Sequence, residues 1–219
     1  MRYMARPVKP NGAVVGRNPK RTRERILSAA LKEFAANGFA GARVDAIARR
    51  AAINKRMLYH YFGDKEHLFR QVLHRKITER QASAEGLSGD PAESLPFWFG
   101  LSCRDPDWVR LLEWEALQGG NKRVIDEKNR RAVATRVLDR IRQQQALGYL
   151  SGEFEPGHLL LAMRSLTTFP MAFPQLTRLF INRSVSDPHF QKRHVALLKK
   201  FAAAFQPAGG RRNQTKPES

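Results

Sequence analysis

Residues 44 to 65 read Val44-Asp-Ala-Ile-Ala-Arg-Arg-Ala-Ala-Ile-Asn-Lys-Arg-Met-Leu-Tyr-His-Tyr-Phe-Gly-Asp-Lys65, two short helical patterns joined by a tight connection. In the first, Val44, Ile47, Ala48 and Ala51 recur at i, i+3, i+4 and i+7, an apolar stripe with Arg49 and Arg50 on the far side. The second opens after Asn54, whose side-chain oxygen suits the free N–H groups of a helix starting at Lys55. At about 100° per residue, Asn54, Met57, Leu58 and Tyr61 gather on one arc, and Lys55, Arg56, Tyr59 and His60 occupy the opposite one. The first arc is expected to pack on the preceding helix and the second to stay free. That free face holds two cations, a phenol and an imidazole, with no carboxylate, and suits a polyanion in a groove. Arg56 can chelate guanine O6 and N7, worth about 1 to 3 kcal/mol of base discrimination, while Tyr59 and His60 suit phosphates. The paired-helix form is that of a helix-turn-helix, which implies duplex DNA as the partner.

Charge supports this independently of the motif. Residues 1 to 80 hold 19 Lys and Arg against 6 Asp and Glu, net +13, and the remaining 139 residues hold 20 against 14, net +6. The excess lies where the motif lies, so affinity should fall with salt by roughly 0.9 log units per phosphate neutralised per log unit of salt. No aromatic stacking strand favours RNA, and no strongly amphipathic basic surface helix favours a membrane. A charge pattern of this kind also permits a nonspecific or architectural DNA-binding protein, an alternative that sequence-dependent binding separates from a regulator.

Upstream and downstream of the motif, Arg25-Ile-Leu-Ser-Ala-Ala-Leu-Lys-Glu-Phe-Ala-Ala-Asn-Gly-Phe39 and Tyr59-His60-Tyr61-Phe62 followed by Gly63-Asp64-Lys65-Glu66 resemble the signature of the TetR family of transcriptional regulators. The resemblance covers residues 21 to about 73 closely and Gly148 to Phe205 more loosely. It departs at two positions: the family's Ser or Thr before the opening valine is Arg43, and its turn glycine is Ala52. Losing the cap should cost about 1 kcal/mol, offset in part by Asp45 at the positive end of the helix dipole, and a positive φ at Ala52 would strain the turn. Neither change removes a DNA-contacting side chain. The expected contact set is Arg43, Asn54, Lys55, Arg56, Tyr59, His60 and Lys65. Of these, Tyr59 and Lys65 are expected to grip all sequences alike.

Flanking the head, residues 1–19 read as a flexible basic arm, with Arg17, Lys20, Arg21 and Arg23 near enough to the first helix to reach DNA. The tail 207–219 also reads as disordered. The helix-turn-helix domain is expected over 20–73, with a linker helix reaching about 84, and a helical body over 85–206. Within the body, Asp90-Pro91, Asp105-Pro106, Pro156 and Asp187-Pro188 open helices; one over 125–147 ends at Gly148, and the one from Pro156 is stopped or kinked at Pro170 and Pro174. No strand alternation appears, so the class is all-α. No apolar run approaches the roughly 20 residues of a membrane span, and the lone Cys103 fits a reducing compartment, so a cytoplasmic protein without membrane association is expected.

For the body, the resemblance implies a homodimer presenting two recognition helices to a palindromic operator, and a small-molecule effector that releases a repressor by shifting a two-state equilibrium. The surplus of apolar residues in the last two helices, among them Leu159, Met163, Leu166, Phe190, Leu197, Phe201 and Phe205, suits a twofold partner, and an ordinary core remains open as their other explanation. Aromatic residues between 97 and 114 suit an effector cavity or plain core packing alike; Trp98, Cys103, Trp108, Trp114 and Arg164 are the pocket candidates, with Arg104 and Gln118 as further polar groups. No cofactor, metal site or catalytic motif is expected: HExxH, Walker, GxSxG and dinucleotide fingerprints are lacking, and His189 and His194 lie five apart, a poor spacing for one helix face.

Overall fold

A computed structural model describes residues 18–119 and 124–207, and these form ten α-helices without a strand. They are α1 (Pro19–Gly41), α2 (Val44–Arg50), α3 (Lys55–Phe62), α4 (Lys65–Ser83), α5 (Pro91–Arg104), α6 (Pro106–Gly119), α7 (Glu127–Ala146), α8 (Pro156–Ala172), α9 (Pro174–Ile181) and α10 (Pro188–Ala204). Their starts follow capping chemistry: the side chains of Asn18, Asn54, Asp64, Asp90, Glu155 and Asp187 each accept from a first-turn N–H. Gly148, at φ +75°, follows α7 in the left-handed conformation that closes many helices.

Two cores divide the molecule. In the head, Ile26, Phe34, Ile47, Leu58, Leu68 and Phe69 are buried together from α1 to α4, with Phe69 edge-on to Phe34 at 4.8 Å. In the body, α5, α8 and α10 enclose Leu95, Phe99, Leu159, Phe190 and Leu198. The division is not a clean cut after the linker helix, because α6 lies on α1 and buries Leu111 in the head core, with Trp108 packed against it.

The first helix begins at Pro19, where the head was expected to start, and carries Lys20, Arg21 and Arg23. Arg23 is moreover engaged, its Nη2 donating to Gln71 Oε1 at 2.5 Å and its guanidinium lying 5.3 Å from the Phe62 ring. Residues 1–17, Arg17 included, and 208–219 lie outside the described residues. The helix from Pro156 passes through Pro170 to Ala172, and a short α9 follows that the spacing did not indicate. Proline lacks the N–H that would bond the carbonyl four residues back. That carbonyl, Leu166 O, is instead 3.1 Å from His194 Nε2 on α10, which supplies the missing donor across the core.

Candidate nucleic-acid interface

The turn between α2 and α3 sets the angle of the recognition helix. Ala52 there has φ +49°, a left-handed conformation unfavourable for a residue with a Cβ, as the absence of the usual glycine implied. Backbone bonds Ala52 N to Arg49 O and Ile53 N to Ala48 O, both 3.0 Å, close the turn. Arg25 of α1 secures it from outside, its Nη2 donating to the carbonyls of Ala51 and, at 3.1 Å, Ala52. Sequence reasoning missed Arg25, because nothing local marks a contact 26 residues away. It also missed Glu33. This buried carboxylate accepts from Arg43 N at 3.2 Å and Asn37 Nδ2 at 3.1 Å, and so anchors the start of α2, where Arg43 makes no side-chain cap.

On α3 the two arcs separate as the helical period requires. Leu58 is fully buried and Met57 and Tyr61 half-buried, whereas Lys55, Arg56, Tyr59 and His60 are exposed, and Arg43 is exposed beside them. Asn54 lies on the solvent side as well; its oxygen caps Met57 N at 2.7 Å, leaving its NH2 group unused among the described residues. Lys55 is held by Asp45 of α2 at 3.1 Å, and that hydrogen bond and charge raise its pKa above the ordinary lysine value. A phosphate would have to replace Asp45 as its partner. Lys65 is less free than its sequence position suggested. Its ammonium donates to Ala40 O at 3.2 Å and lies 5.0 Å from the Phe39 ring, and partial burial lowers its pKa. One of its three donors therefore ties α4 to the end of α1. Beside α3, Thr22, Arg25, Ala52, Ile53, Asn54 and Met57 line a depression of about 350 Å³.

The five pocket candidates are brought together only in part: Trp98 and Trp108 both flank the Arg80 guanidinium, at 5.7 and 5.4 Å, while Trp114 and Cys103 have other partners. Trp114 belongs to the joint between head and body: Nε1 donates to Ala35 O at 3.2 Å, and the ring covers Gly38, where an added Cβ would stand 2.8 Å from it. Gln118 reaches Ala40 N at 3.3 Å in the same joint. Trp108 packs on the head core, and Cys103 is half-buried against the body core with Sγ 3.7 Å from Met171 Sδ, its thiol pKa raised by desolvation. Trp98 and Arg164 do meet, the guanidinium 4.9 Å from the ring centre.

The expected partner face needs a similar correction. Leu159, Phe190 and Phe205 are buried in the body core of their own chain, at 2%, 3% and 9% exposure, so none is available to a partner helix. Met163 and Leu166 are half-buried against the same core. Leu197 and Phe201 on α10 are exposed, as are Leu161 and Phe169 on α8, Phe173 at its C-cap, and Leu179, Phe180 and Ile181 of α9. Among the described residues no group of three or more His, Cys, Asp or Glu is placed to hold a metal ion. No helix there is long and apolar enough to cross a membrane.

Comparison with known proteins agrees with this architecture. The family profile described as "Bacterial regulatory proteins, tetR family" matches residues 26–72, and that described as "Tetracyclin repressor-like, C-terminal domain" matches residues 98–203. The HTH-type transcriptional repressor SCO4008 of Streptomyces coelicolor is 30% identical over 168 residues, 77% of this chain and 88% of that protein. The HTH-type transcriptional repressor NicS of Pseudomonas putida is 34% identical over 160 residues, 68% of this chain and 75% of that one. Among solved structures, SCO4942 from Streptomyces coelicolor superposes with a TM-score of 0.72 at 30% identity, covering 85% of this chain and 99% of that one. The chain therefore belongs to the tetR family of bacterial regulatory proteins, as a helix-turn-helix, DNA-binding transcriptional regulator of a ligand-responsive, non-enzymatic kind.

Proposed function

We propose that the protein is a homodimeric cytoplasmic repressor that binds a palindromic operator through α3 and is released from it by a small-molecule effector. The observation that carries this reading is the exposed face of Lys55, Arg56, Tyr59 and His60 on a helix otherwise packed into the head. Arg56 reads bases and Tyr59, His60, Lys55 and Arg43 hold the phosphates, with the Asn54 amide at the helix start. Lys65 acts mainly by fixing α4 against α1.

Twofold pairing through the exposed apolar residues of α8 and α10 sets two α3 helices about one DNA turn apart, roughly 34 Å, the spacing that a palindrome requires. Each head is held to its body by two helices. The shared helix α4 continues out of the head, and α6 is fastened to α1 through Trp114, Gln118 and the Lys32–Asp107 ion pair at 2.5 Å. A shift of either helix therefore moves the head. An effector drives release only by binding the misaligned state more tightly than the DNA-competent one.

Selection of bound sites from random duplex DNA at near-physiological salt tests the proposal. The expected result is an enriched inverted repeat. Salt-sensitive binding without an enriched sequence would overturn it in favour of architectural DNA binding.

A further inference from the structure

The far end of α4 carries a buried cation that its surroundings leave incompletely paired. Arg80 is 6% exposed. Its Nη2 reaches Ser102 Oγ at 3.5 Å, but Nη1 has no hydrogen-bond partner among the described residues. The carboxylate facing it, Asp105, lies 3.7 Å away and is held at 2.8 Å by Lys76. Glu79, 3.2 Å from Lys76, is shared with Arg75 at 2.9 Å. The Arg80 guanidinium lies over the rings of Trp98 and Trp108, at 5.7 and 5.4 Å from their centres, and Arg164 reaches Trp98 from α8.

A buried guanidinium is ordinarily satisfied by a carboxylate within hydrogen-bonding distance, because an uncompensated charge inside a protein is costly. Here burial, and secondarily the charge of Arg164, push Arg80 down to about 10. Arg164 itself is accessible to solvent, yet desolvation also lowers its pKa. Its guanidinium lies over the same Trp98 ring as that of Arg80, so two cations stand at one indole.

We propose that Arg80 and Arg164, with the indole rings of Trp98 and Trp108, form a binding site for a small anion carrying a carboxylate on a flat apolar body. The carboxylate supplies the counter-charge that Asp105 cannot give to both Lys76 and Arg80, and it accepts from the unused Nη1. The indoles offer flat apolar surface to the rest of the ligand. The assignment rests on the effector-release reading and gives it a place. Arg80 stands seven residues, about 10 Å, beyond Leu73 of the head core on the same helix, and Trp108 belongs to the second helix fastened to the head.

Calorimetric titration of the full-length protein with benzoate, and with the neutral isostere benzamide, tests the site. Saturable benzoate binding is expected, with benzamide weaker by about tenfold or more, since only the anion gains charge-assisted bonds. Arg164→Gln should weaken benzoate by a similar factor without changing the thermal midpoint, because its side chain lies outside the core. Absence of saturable benzoate binding, equal affinity for the two compounds, or wild-type affinity in Arg164→Gln would each overturn the assignment. Affinity for the selected DNA, measured with and without saturating benzoate, separates the site from the release reading. Benzoate binding that leaves DNA affinity unchanged upholds the site and sinks release through it.

Discussion

Ala52 bears a local cost that the rest of the head absorbs. Its positive φ is unfavourable for an L-residue, while glycine adopts it freely but gives up more chain entropy on folding. Ala52→Gly should therefore stabilise the protein by about 0.5 to 1 kcal/mol, read as a higher denaturant midpoint at unchanged slope. An unchanged or lower midpoint would show that Arg25, bonded to both turn carbonyls, already removes the strain. Asp45 poses the opposite case, a carboxylate that competes with DNA for Lys55. Asp45→Asn should tighten binding to random and selected DNA alike by severalfold and steepen the salt dependence by up to about 0.9 log units. No change in either would remove Lys55 from the interface. Arg56→Ala should instead cost about 1 to 3 kcal/mol on the selected site only, whereas Tyr59→Phe weakens all sequences. Equal losses from both on selected and random DNA would refute that division of roles.

At the scale of elements, the two faces of α3 were legible because exposure along one helix follows its own period. The contacts that position α3 were not, since Glu33, Arg25 and Trp114 act across 10 to 79 residues of chain. The sequence motif Asn37-Gly38-Phe39 shows why. Gly38 is needed both for its φ of +67° and because Trp114 of α6 lies where a Cβ would be. Gly38→Ala should accordingly destabilise by about 2 kcal/mol or more, and adding Trp114→Ala should relieve the clash with the indole while leaving the backbone part and the approach of Gln118 Nε2 at 2.6 Å. Simple additivity of the two in a double-mutant cycle would disprove the contact. Between α8 and α10, His194 depends on pH. Stacked on Phe190 and tilted against Phe99, it is held by desolvation below its ordinary pKa of 6.5, so the unfolded chain takes up the proton first. Its contribution to stability is complete above about pH 6.5 and is lost as pH falls through the lowered folded value. Thermal midpoints measured between pH 7.5 and 5 should fall more for the wild type than for His194→Gln, and parallel curves would contradict the assignment.

For the whole molecule, two properties were readable at different depths. Charge asymmetry was plain, because a net +13 in the first 80 residues needs no fold to interpret. Part of the expected partner face lies instead in the body core. An apolar stripe in sequence does not say whether its own chain or a second copy covers it, and here the core takes Leu159, Phe190, Leu198 and Phe205. What remains exposed, Leu161, Phe169, Phe173, Leu197 and Phe201, is more apolar surface than isolated side chains on a monomer require. Leu197→Glu with Phe201→Glu should give a monomer in sedimentation or light scattering, with a helical signal and folding cooperativity retained because neither side chain is in the core. Leu198→Glu, one residue away and fully buried, should unfold the body instead. The monomer should still bind a half-site at low salt but lose the avidity of two linked heads, a deficit of about a hundredfold or more on a palindrome. A dimer surviving both charges would mean that the copies pair through another surface, with α9 and its exposed Leu179, Phe180 and Ile181 next to be tested.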